Sequence, residues 1–408
     1  MYIFKAGVVG AGFMGAEIAQ VITYAGLPVV MKDIDQEMLD KGMDTIRRIY
    51  QRRVDKGKMS PTTMQEKMDL VIPTLDYDEF VDVDIVIEAV PEVMKIKQQV
   101  FAELDEVCPP ETVFASNTSA LSIEEMGSAT KRAHKMIGMH FFSPAHIMKL
   151  VEVIPSPETD QETVDDVVRF TEELRKIPVV VKECPGFLVN RLLMPYLNEA
   201  VLCLQEGAAT AAKMDEAMTD FGWPMGPFTL MDMIGIDVCA DVGEYLHSQY
   251  GDRVAPAPLW DKLVEARRFG EKAGAGFYGY GEETDEPVKQ MIKELQESGQ
   301  VSTGTEFSVD RLMMPMVNEA AMCLEEDIAN VNDVDMACIA GLGMQVGDQR
   351  MGPLEYADGV GLDVVVQKLE ELEKKYGHRF HPVGLLYQKV KAGELGKKTG
   401  RGFMEYAI

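Results

Sequence analysis

Ala6-Gly7-Val8-Val9-Gly10-Ala11-Gly12-Phe13-Met14-Gly15 decides how this chain begins: an apolar strand pattern, then G-x-G-x-x-G opening a helical pattern over 13–25. Glycine turns of this form are common, so the neighbours carry the weight. A second strand pattern follows at 28–32 and ends on an acidic residue, Asp33. In that setting Gly10 permits the tight turn, Gly12 lets the backbone approach a pyrophosphate, and Gly15 lets the helix pack closely. The helix starting at Phe13 and Met14 turns its unpaired N–H groups toward the phosphates. Asp33 is placed to accept hydrogen bonds from an adenosine ribose and to repel a 2′-phosphate, which favours NAD over NADP. Strand alternation sends the adjacent Lys32 to the opposite face.

Outward from this turn, short β-rich runs alternate with helical patterns through the first 180 residues or so. Strands are expected at 5–9, 28–32, 84–88, 112–115, 135–139, 151–154 and 178–181, in a parallel sheet. Helices are expected at 13–25, 36–56, 92–107 and 160–175, with Ser60-Pro61 as a further helix start. Beyond about residue 184 helix formers, Met and Gly-Pro punctuation take over, and the chain repeats itself. Phe187 to Pro195 is echoed by Phe307 to Pro315, Asn198-Glu199-Ala200 by Asn318-Glu319-Ala320, and Met225-Gly226-Pro227 by Met351-Gly352-Pro353. Gly235-Ile236-Asp237 returns as Gly361-Leu362-Asp363, and Gly274-Ala275-Gly276-Phe277 as Gly400-Arg401-Gly402-Phe403. The offset grows from 120 to 126, so the second copy holds six extra residues. The plan read from this is an α/β Rossmann-type dinucleotide-binding domain (1–183) followed by two tandem, related all-α domains. Their expected bounds are 184–280 and 304–408, joined by a linker at 281–303 that opens with the acidic, turn-rich stretch 281–287.

Composition narrows the function. A net charge of −27 over 408 residues argues against nucleic acid or a membrane surface as partner. No apolar run approaches a bilayer span, and the N-terminus shows no signal-peptide pattern, so a cytoplasmic protein is expected. The six cysteines are scattered without CxxC spacing, which suggests reduced, buried thiols; no metal is expected. Against the acidic background, 47–58 concentrates six positive groups and one negative, as anion binding would require.

Four polar residues stand where chemistry is usually placed. Ser119 follows a strand, His140 ends one, Glu152 is a carboxylate inside the apolar run Leu150-Val151-Glu152-Val153-Ile154, and Asn190 opens a helix after Pro185-Gly186. Singly each has a bland alternative: a cap, a satisfied core histidine, an edge-facing glutamate. Together, in order and spacing, Asn117-Thr118-Ser119, GMHFFSP (138–144), MKLVEVI (148–154) and PGFLVNR (185–191) resemble the L-3-hydroxyacyl-CoA dehydrogenases. The duplicated helical half is similar to the dehydrogenase portion of the multifunctional fatty-acid oxidation α subunits. Those begin with a hydratase domain, so this chain looks like the dehydrogenase part standing free.

That resemblance implies reversible, NAD-dependent oxidation of a 3-hydroxyacyl-CoA, in fatty-acid metabolism such as β-oxidation. His140 would be the base and Glu152 its orienting carboxylate; Ser119 and Asn190 would hydrogen-bond the substrate. Asp33, Glu92, Lys97, Ser119 and Lys272 would join the glycine turn in holding the cofactor, and Arg52, Lys56 and Lys58 would meet the CoA phosphates. Asp310 stands in the second copy where the first has Asn190, so one active site per chain is expected. The tandem copies would form an internal pseudo-dimer in a monomer, with a homodimer as the alternative and a separate hydratase or thiolase as a further partner to consider. Two other readings explain less. A β-hydroxyacid dehydrogenase would need a catalytic lysine after a glycine-rich segment, which does not appear beyond residue 115. A scaffold protein would leave four intact catalytic candidates without a purpose.

Overall fold

The computed structural model describes residues 2 to 407; Met1 and Ile408, the end residues of the expected first and last domains, lie outside the described residues. Two compact units divide at Glu183 and Cys184. The first runs β1 (Ala6–Val9), α1 (Phe13–Ala25), β2 (Val29–Lys32), α2 (Gln36–Asp55), α3 (Pro61–Met68), β3 (Val71–Thr74), β4 (Ile85–Glu88), α4 (Met94–Val107), β5 (Val113–Ser116), α5 (Ile123–Gly127), β6 (Met136–Phe141), β7 (Leu150–Pro155), α6 (Gln161–Glu173) and β8 (Ile177–Val180). The eight strands form one sheet in the order β3-β2-β1-β4-β5-β6-β7-β8. Residues of β1, β2, β4 and β5 are buried throughout, which is why these strands read as near-unbroken apolar runs. The order reverses between β1 and β4, so the loops leaving those two strands flank the crevice where ligands bind in sheets of this kind.

Two details correct the sequence reading. The sheet is not parallel throughout: β7 runs antiparallel to β6, and β8 pairs parallel to β7. Only residues 142–149 join β6 to β7, too few for the crossover that a parallel neighbour requires. The edge strand β3 was also missed, because Val71-Ile72-Pro73-Thr74 carries a proline and is only partly buried. Ser60 caps α3 as expected, accepting from Thr63 N at 3.0 Å with Pro61 in the first helical position.

The second unit holds α7 (Val189–Gln205), α8 (Ala211–Phe221), α9 (Pro227–Ile234), α10 (Ile236–Tyr250), α11 (Leu259–Glu265), α12 (Glu286–Glu297), α13 (Val309–Glu325), α14 (Val331–Ala337), the hairpin strands β9 (Gln345–Val346) and β10 (Gln349–Arg350), α15 (Pro353–Val360), α16 (Leu362–Tyr376) and α17 (Gly384–Ala392). The two copies fold alike. Both α7 and α13 are 17 residues long with a proline inside, and the N-caps Thr210 and Asn330 start α8 and α14. Asp232 accepts from Phe277 N, Tyr278 N and Tyr280 Oη; Asp358 accepts in the same way from Phe403 N, Met404 N and Tyr406 Oη. The six extra residues of the second copy fall at the β9–β10 hairpin. The stretch expected as linker, 281–303, contains α12, whose apolar face buries Val288 and Leu295. All six cysteines are buried thiols outside any disulfide, and no helix among the described residues is long and apolar enough to cross a membrane.

Candidate active site

The glycine turn meets the steric demands of a dinucleotide site. Gly10 sits at φ +102°, and a side chain there would run into Ala89 O of the loop after β4, 2.6 Å from its Cβ. A Cβ on Gly15 would lie 1.8 Å from Gly10 O, so only glycine lets α1 start this close to the turn. Gly12 has open space on its Cβ side, the room a pyrophosphate needs. The first turn of α1 carries no acidic residue, and its N-cap, Gly12, offers no side-chain acceptor. The helix amides therefore remain available to an anion. Phe13 is exposed and Met14 half-buried beside them.

Asp33 lies at the end of β2 and accepts from Ala11 N at 2.6 Å and Ile34 N at 2.7 Å, which ties the turn to the carboxylate. Lys32 is buried, its Nζ over the Tyr77 ring at 4.4 Å. These residues fit NAD.

The register of one strand pair builds the proton-handling centre. In the antiparallel β6–β7 pair His140 stands directly opposite Glu152, so both side chains share a face. His140 Nδ1 and Glu152 Oε2 are 2.7 Å apart; Glu152 is fully buried and His140 is 6% exposed. Phe142 packs its ring 4.5 Å from the imidazole. The loop after β5 is bound to the same strand, because Phe141 N donates to Asn117 Oδ1 at 2.9 Å. Ser119, two residues on, is exposed.

Glu92 and Lys97 support that loop. Glu92 Oε1 accepts from Thr118 Oγ1 at 2.6 Å and from Ser119 N at 2.9 Å, and Glu92 Oε2 lies 3.1 Å from Lys97 Nζ. Burial pushes the Glu92 carboxyl up, but the Lys97 ammonium and these hydrogen bonds outweigh it and hold the group below its ordinary range. Lys97 is itself buried and also bonds Glu88 at 2.8 Å. Glu88 further accepts from Ser116 Oγ at 2.6 Å and Val90 N at 2.7 Å. Sequence reasoning passed over Glu88, Ser116 and the role of Asn117. The signal for Glu88 was available: a single carboxylate closing the apolar run Ile85-Val86-Ile87, the same cue that marked Glu152.

The remaining candidates stand in other elements. Asn190 belongs to the second unit, in the first turn of α7. Its counterpart Asp310 is ion-paired with Lys368 at 2.7 Å, and the first copy has Val242 at that lysine's position. Lys272 lies 2.6 Å from Asp237, and the second copy repeats the pair as Lys398 and Asp363 at 2.5 Å. A contact kept in both copies is part of the repeat's own architecture. Arg52, Lys56 and Lys58 are exposed around the end of α2 and take part in no ion pair among the described residues.

A glycine turn at the switch point of the sheet, with a histidine–carboxylate pair on two strands of the same sheet, defines a nicotinamide-dependent dehydrogenase. Comparison with known proteins agrees. The NAD-binding domain of 3-hydroxyacyl-CoA dehydrogenase matches residues 5–184, and the C-terminal domain of the same enzymes matches twice, at 186–280 and 307–406. The fatty acid oxidation complex subunit alpha of Psychrobacter arcticus is 38% identical over 92% of this chain and 54% of its own length. The crystal structure of 3-hydroxybutyryl-CoA dehydrogenase from Escherichia coli superposes with a TM-score of 0.86 at 28% identity, covering 96% of this chain and 100% of that one. The (S)-3-hydroxybutyryl-CoA dehydrogenase of Ralstonia eutropha gives 0.67 at 38% identity, over 69% and 100%. The chain belongs to the 3-hydroxyacyl-CoA dehydrogenase family, whose members are NAD-dependent oxidoreductases. It spans about half the length of the curated relatives it matches.

Proposed function

We propose that this chain interconverts an L-3-hydroxyacyl-CoA and the corresponding 3-ketoacyl-CoA, with His140 as the acid–base group. The observation that carries the reading is the 2.7 Å contact between His140 Nδ1 and the buried Glu152, in the unit that bears the dinucleotide turn. When bound, NAD supplies the hydride acceptor. Nδ1 is engaged by Glu152, so the hydroxyl proton passes to Nε2 of His140. Glu152 stabilises the imidazolium that forms and fixes the plane of the ring. Ser119 directs its hydroxyl to the substrate oxygen while Glu92 holds its backbone N–H, and Asn190 supplies a second hydrogen bond by family resemblance. Arg52, Lys56 and Lys58 offer the CoA phosphates a local positive patch on a chain of net charge −27. In the reverse direction His140 returns the proton to the carbonyl oxygen.

Because each helical copy covers the face of the other, we read the chain as a monomer with an internal pseudo-dimer. The expected setting is cytoplasmic fatty-acid oxidation, with a hydratase or thiolase as neighbouring activity. The test is NADH absorbance with acetoacetyl-CoA, NADPH as control, and His140→Gln beside the wild type. Turnover with NADH, little with NADPH, and a loss of about 10²–10⁴-fold in the variant are expected. No turnover in folded, NADH-binding protein across short, long and branched 3-ketoacyl-CoAs would overturn the reading.

A further inference from the structure

Outside the site above, three metal-ligating side chains converge on the second helical copy. Glu373 lies in the last turn of α16, and His378 and His381 follow on the 3₁₀ turn His378–Phe380 and the residue after it. His378 Nδ1 is 3.1 Å from Glu373 Oε1, and His381 Nδ1 is 3.0 Å from Oε1 and 3.1 Å from Oε2. One donor atom from each residue falls within 4.8 Å of the others, and the two imidazoles stack at 4.9 Å. From these contacts we infer that Glu373, His378 and His381 form a site for a divalent transition metal, zinc by its ligand chemistry.

The geometry requires little rearrangement. Ligands at about 2.0–2.1 Å around a tetrahedral ion stand roughly 3.3 Å apart, and the nitrogen-to-carboxylate spacings are already within a few tenths of that. Each neutral ring needs only to carry its proton on Nε2, which frees the Nδ1 lone pair for the ion. Two imidazoles and one carboxylate suit zinc, nickel, cobalt or copper and disfavour magnesium and calcium, which take oxygen ligands. Both rings also line a cavity of about 510 Å³ between the copies, which leaves room for water to complete the coordination.

The turn that presents the histidines is anchored from its other side. Phe380 is fully buried, Arg379 Nε bonds Glu199 at 2.8 Å, and Asn318 brackets the segment through His381 O at 2.9 Å and Val383 N at 3.0 Å. A rigid turn of this kind preorganises its ligands. The first copy is the internal control. There Asn198 brackets the same turn through Ala255 O and Ala257 N, both at 2.9 Å, so the fold is held in the same way. At the three ligand positions the first copy has His247, Asp252 and Ala255, with His247 Nε2 and Asp252 Oδ1 at 3.7 Å and no third donor. The turn therefore does not need the His–His–Glu set to fold.

The test is calorimetric titration of tag-free, chelator-treated full chain with zinc chloride, with magnesium chloride as control. One saturable zinc equivalent and no magnesium binding are expected. His378→Gln and His381→Ala should each weaken zinc on the order of 100-fold while leaving acetoacetyl-CoA reduction by the metal-free protein unchanged. The alanine is tolerated at the equivalent position of the first copy, so loss of folding is not expected, and circular dichroism checks it. Cobalt should give a visible d–d spectrum that both variants lose. Absence of saturable zinc binding, or binding that survives both substitutions, would overturn the proposal.

Discussion

Arg191 and Glu319 meet across the boundary between the helical copies, Nε to Oε1 at 2.6 Å, and the second copy returns the contact through Arg311 and Glu199 at 2.7 Å. The exchange is reciprocal: each arginine reaches for the glutamate that lies eight residues after the other copy's own arginine. Arg253 and Arg379 join it at equivalent places, bonding Glu319 and Glu199. Arg191 and Arg311 are almost wholly buried. The two copies thus meet through a reciprocal set of ion pairs, each residue paired with its counterpart's partner, as at a two-fold interface.

Glu319→Ala removes the acceptor shared by Arg191 and Arg253 and leaves Arg191 with Glu326 alone, at 2.6 Å. Removing one partner of a buried pair typically costs about 3–5 kcal/mol, and that loss is expected in urea unfolding of the variant. Replacing both partners, Arg191→Met with Glu319→Leu, should recover part of it. If the single change moves stability by less than about 1 kcal/mol, the network does not hold the copies together.

Glu152→Gln keeps the shape and burial of the side chain but removes the charge facing His140. The imidazolium then loses its counter-ion, and kcat should fall by about 10²–10⁴-fold with KM little changed. Stopped-flow or steady-state NADH oxidation reads the effect directly. A kcat within a few-fold of wild type would remove Glu152 from the acid–base reading.

The His140–Glu152 pair shows how far the sequence could be read. Each residue was visible as a polar side chain in an apolar strand, and the family spacing joined them. The reason they meet is the antiparallel register of β6 and β7, which periodicity does not report because parallel and antiparallel strands alternate alike. The glycine turn was legible because its demands are local: positive φ at Gly10 and close approach at Gly15. Helix α12 was hidden by the acidic, Gly- and Pro-containing start of its segment, although Val288 and Leu295 carry helical spacing. The partners of Glu92 and Glu88 were out of reach for another reason. Their bonds to Thr118, Ser119 and Ser116 join residues 26 to 28 positions apart, and only the strand order brings those together.

Asp33→Ala should weaken NADH more than NADPH. The carboxylate both faces the expected ribose position and holds Ala11 N at 2.6 Å. Hydrogen bonds to a charged group contribute about 1.5–3 kcal/mol, so a rise in KM for NADH of roughly 10- to 150-fold follows. NADPH, relieved of repulsion, should lose less or gain. An unchanged preference between the two cofactors would show that discrimination lies elsewhere.

Asp335 gives the second unit a pH dependence of defined sign. The side chain is 4% exposed and accepts from Leu354 N at 2.8 Å and Glu355 N at 2.9 Å, yet burial pushes its carboxyl up to about 7, with the charges of Glu355 and Asp358 adding to the effect. Between the ordinary value of about 4 and 7 the native state keeps a proton that the unfolded chain releases. The associated stability is therefore complete below about pH 4 and is lost as pH rises to about 7. At roughly 1.4 kcal/mol per pH unit this amounts to about 4 kcal/mol at most. Asp335→Asn carries no charge at any pH; it gives up one of the two acceptors but removes the titration. Urea unfolding of both proteins at pH 4, 5, 6, 7 and 8 should show the variant gaining on the wild type as pH rises. Parallel curves for the two proteins would mean that Asp335 is ionised throughout and that its two backbone donors outweigh its burial.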